Sequence, residues 1–488
     1  MNITSMSQAN GKDAVSTAGF TNDQKKAYDD LIKFINDDYN ELDFKRALTG
    51  PAGTGKTYLI RALLKNCNIS YSVIGLSAPT HKACRVLQEA INLPNIKVKT
   101  LQSDLGLRIN FDIDKFDINN LPFDPKGKIK IGDYKVYIID ESSMIPRSLV
   151  MFIEKLVKQH KCKLIYIGDA SQLSPVNEKY SSAFRGTKTL KLAEIVRQGV
   201  DNPISKLLEI LRYDIEHKSF EFLNYIHKNR YEFNENNTKG YAVCSPEDFK
   251  QSVYVNFNDE EFTRNVDLTK VVAYTNLAVN SWNNYIRNII IKDNDKSILT
   301  KNDLIISYTT IVDTFNDPII KNSEEYIIKD IVNYTHPKYG MKGFMVRFCA
   351  IHGGQITQPI FVVDHTDKFS IQLYIKLSTS FVDAAKKAPA TTRATRWKEY
   401  FEFKEHHLLL TNILNNMGQI MYSRDLDYGF ALTSHKSQGS TFNVALVDVN
   451  NICYDRFGSP YTDVEEMNRR LYVACSRAKD KLYLQYGR

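Results

Sequence analysis

The sequence is poor in cysteine and contains no long apolar run, and both features limit what the protein can be. Its seven cysteines among 488 residues are scattered and never form a Cys-x-x-Cys pair. This usage favours a reducing cytosol over a disulfide framework or a zinc site. Cys349 and His352 have ligand-like spacing, but without a second pair nearby they are more typical of a strand end.

No stretch of eighteen or more apolar residues is present, so a transmembrane helix is not expected. The polar residues 1–19 contain no apolar core of a signal peptide, and we interpret them as a disordered tail. Together these absences predict a cytoplasmic location and no membrane partner.

The composition is ordinary for a soluble globular protein, with 43% hydrophobic and 25% charged residues. At this length the chain has room for two to four domains. The formal net charge of +8 mildly favours a polyanionic partner, although many basic proteins bind no nucleic acid.

One stretch carries a specific chemical signal, the sequence GPAGTGKT from Gly50 to Thr57. It fits the phosphate-loop pattern, in which glycines let backbone N–H groups surround a chain of phosphates. A short strand at Phe44–Thr49 precedes it and a helical pattern follows, so a helix N-terminus would point at the phosphate. The loop comprises Gly50, Pro51, Ala52, Gly53, Thr54, Gly55, Lys56 and Thr57. It predicts a nucleoside triphosphate, with Lys56 on the β- and γ-phosphates and Thr57 on Mg²⁺.

A second acidic signal follows the apolar run Val136–Ile139, which reads as a buried parallel strand. Asp140 and Glu141 come directly after it. In phosphate-loop enzymes such an Asp holds Mg²⁺ and a neighbouring acid positions the attacking water. Two adjacent carboxylates at this place are costly unless a cation or a donor meets them.

Strand and helix patterns alternate from residue 44 to 196 and begin again at Val271, which predicts two doubly wound α/β domains. Polar residues at strand ends are expected to lie at ligand sites. Residues 106–132 alternate apolar and polar residues and predict a small β-rich insertion. Residues 300–382 are β-rich with Gly and Pro turns and predict a small barrel inserted in the second α/β domain. The basic run 383–407 contains Lys386 and Trp397, and it either tracks a nucleic-acid backbone or forms a solvated helix face.

The order of the motifs resembles that of superfamily 1 helicases. The motifs are GPAGTGKT, APTHKA, IIDESSM, GDASQLSPV, EIVRQ, VVAYTN, LTSHKSQGSTF and LYVACSRA, between about Phe20 and Leu484. Within that superfamily the sequence is most similar to the RecD-like branch, 1B, and within the branch to Dda-type phage helicases. The likeness is weak in 106–132 and 300–424.

This resemblance implies an α/β fold with two RecA-like phosphate-loop domains that share an ATP cleft. It divides the chain into a tail at 1–19, a first RecA-like domain at 20–105 and 133–196, and a pin insertion at 106–132. The second RecA-like domain would comprise 197–299 and 425–488, and an SH3-like accessory domain would comprise 300–424.

The resemblance also implies a set of site residues and two cofactors, ATP and Mg²⁺. Gln24 would contact adenine, Thr57 and Asp140 would hold Mg²⁺, and Glu141 would activate water. The γ-phosphate would be met by Gln172, Arg197 and Arg477, with Gln438 and Gly439 also at the nucleotide. Candidate DNA contacts are Pro79, Thr80, His81, Thr100, Gln102, Thr275, Asn276, Lys386, Trp397, Thr433, His435 and Lys436. Gln102 departs from the family, which often has histidine there, so its role is open.

The function so implied is an ATP-dependent DNA helicase or translocase that moves 5′ to 3′ on single-stranded DNA. Its partners would be single strands, duplex junctions and proteins of replication, recombination or repair. It would act as a monomer in the cytoplasm of a bacterium or a phage-infected host. Two alternatives remain: a motor that displaces bound proteins with little unwinding, and a non-enzymatic nucleic-acid-binding module. An RNA substrate also stays open, because a groove that follows the backbone need not reject the 2′-hydroxyl.

Overall fold

The computed structural model describes residues 16–108, 113, 116–117, 127–175, 178–194, 202–260, 262, 265–290, 297–313 and 318–487. The chain divides into two compact units. The first unit comprises the described residues up to Asn256, Asp267–Val279 and those from Leu432 onward, and the second comprises Phe257–Val266 and Asn280–Ala431. This division into two units does not test the predicted domain boundaries, which remain a prediction.

The first unit begins with a parallel sheet and its helices. Its elements are α1 (Asn22–Asn36), β1 (Lys45–Thr49), α2 (Lys56–Asn66), β2 (Ile74–Ala78), α3 (His81–Ile91), β3 (Lys99–Thr100), α4 (Leu101–Leu105), β4 (Val136–Ile139), α5 (Arg147–Gln159), β5 (Lys163–Gly168) and β6 (Lys188–Lys191). Within the described residues the strands form a first sheet in the order β3-β2-β4-β5-β1-β6, and each neighbouring pair is parallel.

The first sheet has a core on each of its two faces. Tyr137 and Ile139 of β4 pack in one buried cluster with Ile153 of α5. Ile138, between them, belongs to the opposite cluster together with Leu63 of α2. Because successive side chains of a strand point to opposite faces, β4 must be apolar throughout, as its sequence is. The predicted doubly wound α/β fold is confirmed.

A second sheet completes the first unit. Its elements are α6 (Ile204–His217), α7 (Glu221–Lys228), β7 (Tyr231–Phe233), β8 (Gly240–Cys244), α8 (Pro246–Phe257) and β9 (Thr269–Ala273), followed after the second unit by β19 (Ala431–Thr433), α12 (Ser434–Ser437), β20 (Phe442–Asp448), α13 (Val449–Cys453), α14 (Val464–Cys475) and β21 (Ala478–Gln485). Helix α9 (Asn276–Ile290) begins in the first unit and continues into the second. The order is β19-β9-β20-β21-β8-β7. The pairs β9–β20, β20–β21 and β21–β8 are parallel, and the edge strand β7 is antiparallel to β8.

The second unit is built on an antiparallel sheet in the order β15-β14-β13-β10-β18. Its elements are β10 (Leu304–Ser307), β11 (Ile311–Val312), β12 (Pro318–Ile320), β13 (Glu325–Thr335), β14 (Lys342–Ala350), β15 (Ile360–Val363), α10 (Lys368–Lys387), α11 (Ala390–His406), β16 (Ile413–Leu414), β17 (Ile420–Tyr422) and β18 (Leu426–Tyr428). The SH3-like character of this region stays a prediction.

The expectation of β structure as far as residue 382 is wrong, because α10 occupies Lys368–Lys387. Asp367 caps this helix by accepting bonds from the Ser370 N–H and hydroxyl. Tyr374 and Ser378 are buried four residues apart, which is the helical spacing. From Phe369 to Leu377 apolar residues occupy every second position, and this period of two imitates a strand.

None of the helices in the described ranges is long and apolar enough to cross a bilayer. The predicted pin at 106–132 falls mostly on residues outside the description, as does most of the predicted tail at 1–19.

Candidate nucleotide-binding site and nucleic-acid interface

The glycine-rich loop joins the end of β1 to the start of α2, and its shape requires glycine. Gly53 and Gly55 have φ angles of 88° and 81°, in the left-handed region that other residues rarely adopt. A Cβ on Gly50 would lie 2.6 Å from the carbonyl oxygen of Leu192. The loop can therefore close tightly enough for its backbone N–H groups to meet a phosphate.

Helix α2 begins directly after this loop with no side-chain cap on its first turn. Such a helix start carries N–H groups and a partial positive charge toward an anion. The Lys56 ammonium donates to the carbonyl oxygens of Gly50 and Pro51, at 2.5 and 2.9 Å. Its partners are neutral carbonyls, so a phosphate oxygen could exchange for them with a gain in charge pairing. The loop fits a polyphosphate.

Asp140 and Glu141 stand at the carboxyl end of β4, in the same sheet. Burial raises the pKa of Asp140, and the Glu141 N–H and the Lys56 charge oppose that rise. Burial, followed by the charge of Asp140, raises the pKa of Glu141 to about 7, while Arg477 and Lys56 lower it. Another cation near these two carboxylates would stabilise their charged forms. With the Thr57 hydroxyl, Asp140 forms the oxygen donor set that Mg²⁺ prefers, so the residues fit that ion.

Gly439, which follows α12 in the second sheet, faces these carboxylates. Its φ is 71°, and a Cβ there would lie 3.8 Å from a Glu141 carboxylate oxygen. The Nε2 atom of neighbouring Gln438 is buried and has no hydrogen-bond partner within the described residues. A buried amide N–H without an acceptor lowers the stability of the fold. A ligand oxygen that accepts a hydrogen bond from this N–H would be bound favourably. Both residues lie where a nucleotide contact is predicted.

Arg477 is the cation that the second sheet contributes. Its side chain is 4% exposed, and its guanidinium donates to the carbonyls of Val473, Ser440 and, at 3.4 Å, Ser437. Burial lowers the pKa of Arg477, and the charge of Glu141 is the largest effect that opposes this. Arg477 therefore lies within electrostatic reach of the first sheet while bonded to its own domain.

Two other predicted γ-phosphate contacts have different outcomes. Gln172 is 6% exposed, and its Oε1 atom is buried with no hydrogen-bond partner within the described residues. It follows β5, at the same edge of the first sheet as Asp140. Arg197 lies outside the described residues, so its predicted role stays a prediction.

Gln24 has a structural role beside its predicted contact with adenine. Its backbone and side chain form a capping box with Thr21 at the start of α1. Its Nε2 donates to the Thr54 carbonyl of the phosphate loop at 2.9 Å. The amide thus fastens α1 to the loop, and an adenine contact would have to share or replace one of these bonds.

Four predicted DNA contacts are threonines, and each caps the start of a helix. The hydroxyls of Thr80, Thr100, Thr275 and Thr433 accept hydrogen bonds from backbone N–H groups three residues later. Each threonine lies at or just after the carboxyl end of a parallel-sheet strand or of β19. Helix starts at such strand ends suit phosphate binding, so four similar positions are repeated along the two sheets.

The remaining predicted contacts of the first unit are distributed around these caps. Pro79 is buried, His81 and Gln102 are partly buried, and Asn276 and Lys436 are exposed. His435 lies 6.5 Å from the ring of Tyr274, measured between ring centroids. Burial, with Arg470 nearby, lowers the pKa of His435, so it is neutral near pH 7.

Asn451 holds the predicted DNA contact Thr275 in place, and the sequence did not reveal this. Its Oδ1 accepts from the backbone N–H groups of Tyr274 and Thr275, both at 2.9 Å. Its Nδ2 donates to the Thr275 hydroxyl at 3.1 Å. Asn451 lies on α13, far along the chain from Thr275, and no local pattern marks it.

Lys386 and Trp397 belong to the second unit, on α10 and α11. Lys386 is exposed near the end of its helix, and Trp397 is partly buried against Tyr400 and Phe401. The basic run is therefore helical and largely solvated. Its part in nucleic-acid binding stays a prediction.

Two family models match separate parts of the chain. One, described as an AAA domain, matches residues 29–227, and the other, described as a UvrD-like helicase C-terminal domain, matches residues 428–485. These ranges contain the phosphate loop and Arg477 respectively.

Known proteins resemble the chain over different lengths. An uncharacterised protein of Acanthamoeba polyphaga mimivirus is 23% identical, over 95% of this chain and 99% of that protein. The ATP-dependent RecD2 DNA helicase of Deinococcus radiodurans is 29% identical over 32% of this chain and 20% of its own length. The crystal structure of Pif1 helicase from Candida albicans has a TM-score of 0.51 at 19% identity, over 96% of this chain and 94% of its own. The narrower likeness to Dda-type helicases stays a prediction.

Proposed function

Because the chain belongs to the Pif1/RecD-like group of superfamily 1B helicases, we propose that it is an ATP-driven DNA motor that unwinds duplexes. One observation carries this proposal. The phosphate loop and the Asp140–Glu141 pair of one parallel sheet face Gly439 and Arg477 of another, close enough for Glu141 and Arg477 to shift each other's pKa. A nucleotide between two such sheets would sense their separation.

The chemistry follows from the groups at the first sheet. Thr57 and Asp140 would hold Mg²⁺, which would neutralise charge on the phosphate oxygens. Lys56 would exchange its two carbonyl partners for the β- and γ-phosphates. Glu141, with a pKa raised to about 7, is suited to accept a proton from the attacking water.

The second sheet would respond to the γ-phosphate. Arg477 would leave part of its carbonyl shell to stabilise the transferring group, as arginine does in other phosphoryl-transfer enzymes. A nucleotide bound by both sheets would favour a closed cleft, and loss of the γ-phosphate would favour opening. ATP hydrolysis would thereby change the distance between the two sheets.

The DNA strand would bind at the four threonine-capped helix starts. Two caps, Thr80 and Thr100, follow strands of the first sheet, and two, Thr275 and Thr433, follow strands of the second. A change in separation between the sheets would move one pair relative to the other along the strand. Phosphate contacts of this kind are independent of sequence and weaken with salt.

Unwinding of tailed duplexes tests the activity and its direction together. We expect single-stranded DNA to stimulate ATPase activity, and a 5′-tailed duplex to be unwound in preference to a 3′-tailed one. Unwinding of only the 3′-tailed duplex would reject the proposed 5′-to-3′ direction and keep the helicase. Displacement of streptavidin from DNA without strand separation would identify a translocase. ATPase activity that does not respond to DNA, with neither duplex unwound, would reject the proposal.

A further inference from the structure

The loop that carries Gln172 is held by two side chains of helix α14 from the second sheet. The Tyr472 hydroxyl donates to the Asp169 carboxylate at 2.8 Å, and both groups are buried. One turn earlier, Arg469 donates to the backbone carbonyls of Ala170 and, at 2.9 Å, Gln172. We call Asp169, Arg469 and Tyr472 the bridging residues.

Asp169 connects this contact to the candidate γ-phosphate sensor of the first sheet. Its other carboxylate oxygen accepts from the Ser171 N–H at 2.9 Å, and its carbonyl accepts from the Gln172 N–H at 3.1 Å. The same residue therefore shapes the turn that carries Gln172 and binds Tyr472. A shift of Tyr472 would therefore reach Gln172 through the Tyr472–Asp169 hydrogen bond and the hydrogen bond from the Gln172 N–H to the Asp169 carbonyl.

Tyr472 is connected just as closely to Arg477. The Nε atom of Arg477 donates to the carbonyl of Val473, the residue directly after Tyr472. Val473 and Tyr472 are both in helix α14, whose backbone is rigid on the scale of one residue. The guanidinium position is therefore set by the part of the helix that Tyr472 fixes.

The chemistry of the Asp169–Tyr472 bond makes it directional and persistent. Burial and the Asp169 charge raise the pKa of Tyr472, so the phenol keeps its proton and donates it. A hydrogen bond to a charged, buried acceptor is short and strong, and the carboxylate loses a partner when it breaks. An ordinary docking contact between apolar surfaces would have no such defined geometry.

We propose that the bridging residues are positioning residues that link the Gln172 loop to Arg477, so that the two sheets meet the γ-phosphate together. This inference rests on the proposed function, in which Gln172 and Arg477 both contact that phosphate. Neither Asp169 nor Tyr472 needs to touch nucleotide. They act by keeping the two contacting groups in register.

The test compares two conservative tyrosine variants of the full chain. Tyr472→Phe removes only the hydroxyl that bonds Asp169. Tyr241→Phe is the matched control, because its hydroxyl bonds the Asn229 carbonyl at 3.1 Å and a Glu232 carboxylate oxygen at 3.4 Å, both within its own domain. We expect Tyr472→Phe to lower the DNA-stimulated kcat for ATP about tenfold with KM for ATP within about twofold of wild type, because misplacement of a contacting group slows chemistry. Tyr241→Phe should stay within about twofold in both constants.

A double-mutant cycle separates positioning from general destabilisation. If Tyr472 acts through Arg477, Tyr472→Phe should cost little more when Arg477→Lys is already present, so the two losses do not multiply. Thermal unfolding of each variant should show that all are folded at the assay temperature.

Three outcomes would overturn the inference. They are equal kcat values for Tyr472→Phe and Tyr241→Phe, fully multiplicative losses in the cycle, and an Arg477→Lys variant as active as wild type. Wild-type protein without DNA-stimulated ATPase would instead reject the proposed function, and the bridging role with it. A wild-type enzyme that is active while Tyr472→Phe is unaffected rejects only the bridging role.

Discussion

Each compact unit contains a cluster of buried titratable groups whose pKa values are shifted mainly by burial. The two clusters differ in the groups that surround them. In the first unit, burial raises the pKa of Asp140 and Glu141, with Lys56 and Arg477 acting in the opposite sense on Glu141. In the second unit, burial lowers the pKa of His407 to about 4.

The two clusters differ in their neighbours, which show that one lies in a packed core and the other at a candidate binding site. His407 packs against the rings of His336, Tyr339, Phe361 and Phe403, with centroid distances from 4.3 to 5.6 Å. These rings fill the space around the imidazole. The carboxylates instead stand at strand ends beside a glycine loop and an uncapped helix start. A perturbed pKa therefore marks a functional site only where the geometry leaves a place for a ligand.

Removal of the Lys56 charge should break the first cluster most severely. Lys56→Ala removes a cation that acts on both carboxylates and the one expected at the phosphates, and we expect ATP hydrolysis to fall about a thousandfold or more. Steady-state ATPase assays with single-stranded DNA measure it. Lys65→Ala, at the other end of helix α2, is the control and should keep nearly full activity. Comparable turnover in the two variants would show that the site is misplaced.

Glu141→Gln should separate binding from chemistry at the same cluster. The amide keeps the size of the side chain and removes one of two neighbouring negative charges, so nucleotide should bind at least as tightly. It cannot accept a proton, and kcat should fall about a hundredfold. Nucleotide titration and single-turnover hydrolysis give the two quantities. A variant that binds nucleotide poorly and turns over normally would contradict both roles.

Local sequence was enough to predict the first cluster, because its parts lie within short motifs. The phosphate loop is eight consecutive residues, and Asp140–Glu141 follow an apolar strand directly. The fold class could be predicted for the same reason, since each strand and its helix are neighbours in the chain. The helix at Lys368–Lys387 was missed because apolar residues alternate along its first half, as they do in a strand.

Contacts between distant residues could not be predicted in this way. Tyr472 and Asp169 are 303 residues apart, and Asn451 is 176 residues from Thr275. Neither pair has a local pattern, because the sheets bring them together. Gln24 shows the same limit, since only the structure reveals that its amide holds the Thr54 carbonyl.

Two glycines with nearly equal backbone angles allow a finer comparison of the units. Gly439 in the first unit and Gly418 in the second have φ angles of 71° and 75°. An alanine at either position adopts a left-handed conformation at a cost of about 1–2 kcal/mol. At Gly439 the new methyl would also lie 3.8 Å from Glu141, whereas at Gly418 nothing lies within 4 Å.

We therefore expect similar losses of stability from Gly439→Ala and Gly418→Ala and different losses of activity. The kcat for ATP should fall about tenfold in Gly439→Ala, because the nucleotide cleft is disturbed, and stay near wild type in Gly418→Ala. Chemical unfolding and ATPase assays on both variants measure this. Equal activity in the two would remove Gly439 from the nucleotide site.

The smallest expected effect concerns the second cluster and appears in stability rather than turnover. His407 has a folded pKa of about 4, below its usual 6.5, so its neutral form is favoured by folding and its stabilising contribution is lost as pH falls. His336, His406 and Lys338 act on it in the same sense as burial, and its Nδ1 bond to the Phe403 carbonyl acts against them. Between pH 7.5 and 5.5 this histidine binds a proton in the unfolded chain and stays neutral in the folded chain. The free energy of unfolding of the second unit therefore falls by about 1 kcal/mol through this group. His407→Leu should reduce the pH slope by about that amount in chemical unfolding followed by a probe in the second unit. His406→Leu, one residue earlier and exposed, should leave the slope as in wild type. If the change of unfolding free energy with pH is the same in His407→Leu as in wild type, another group causes the pH dependence. The contrast between a packed core and a site that can bind a ligand would then be weaker.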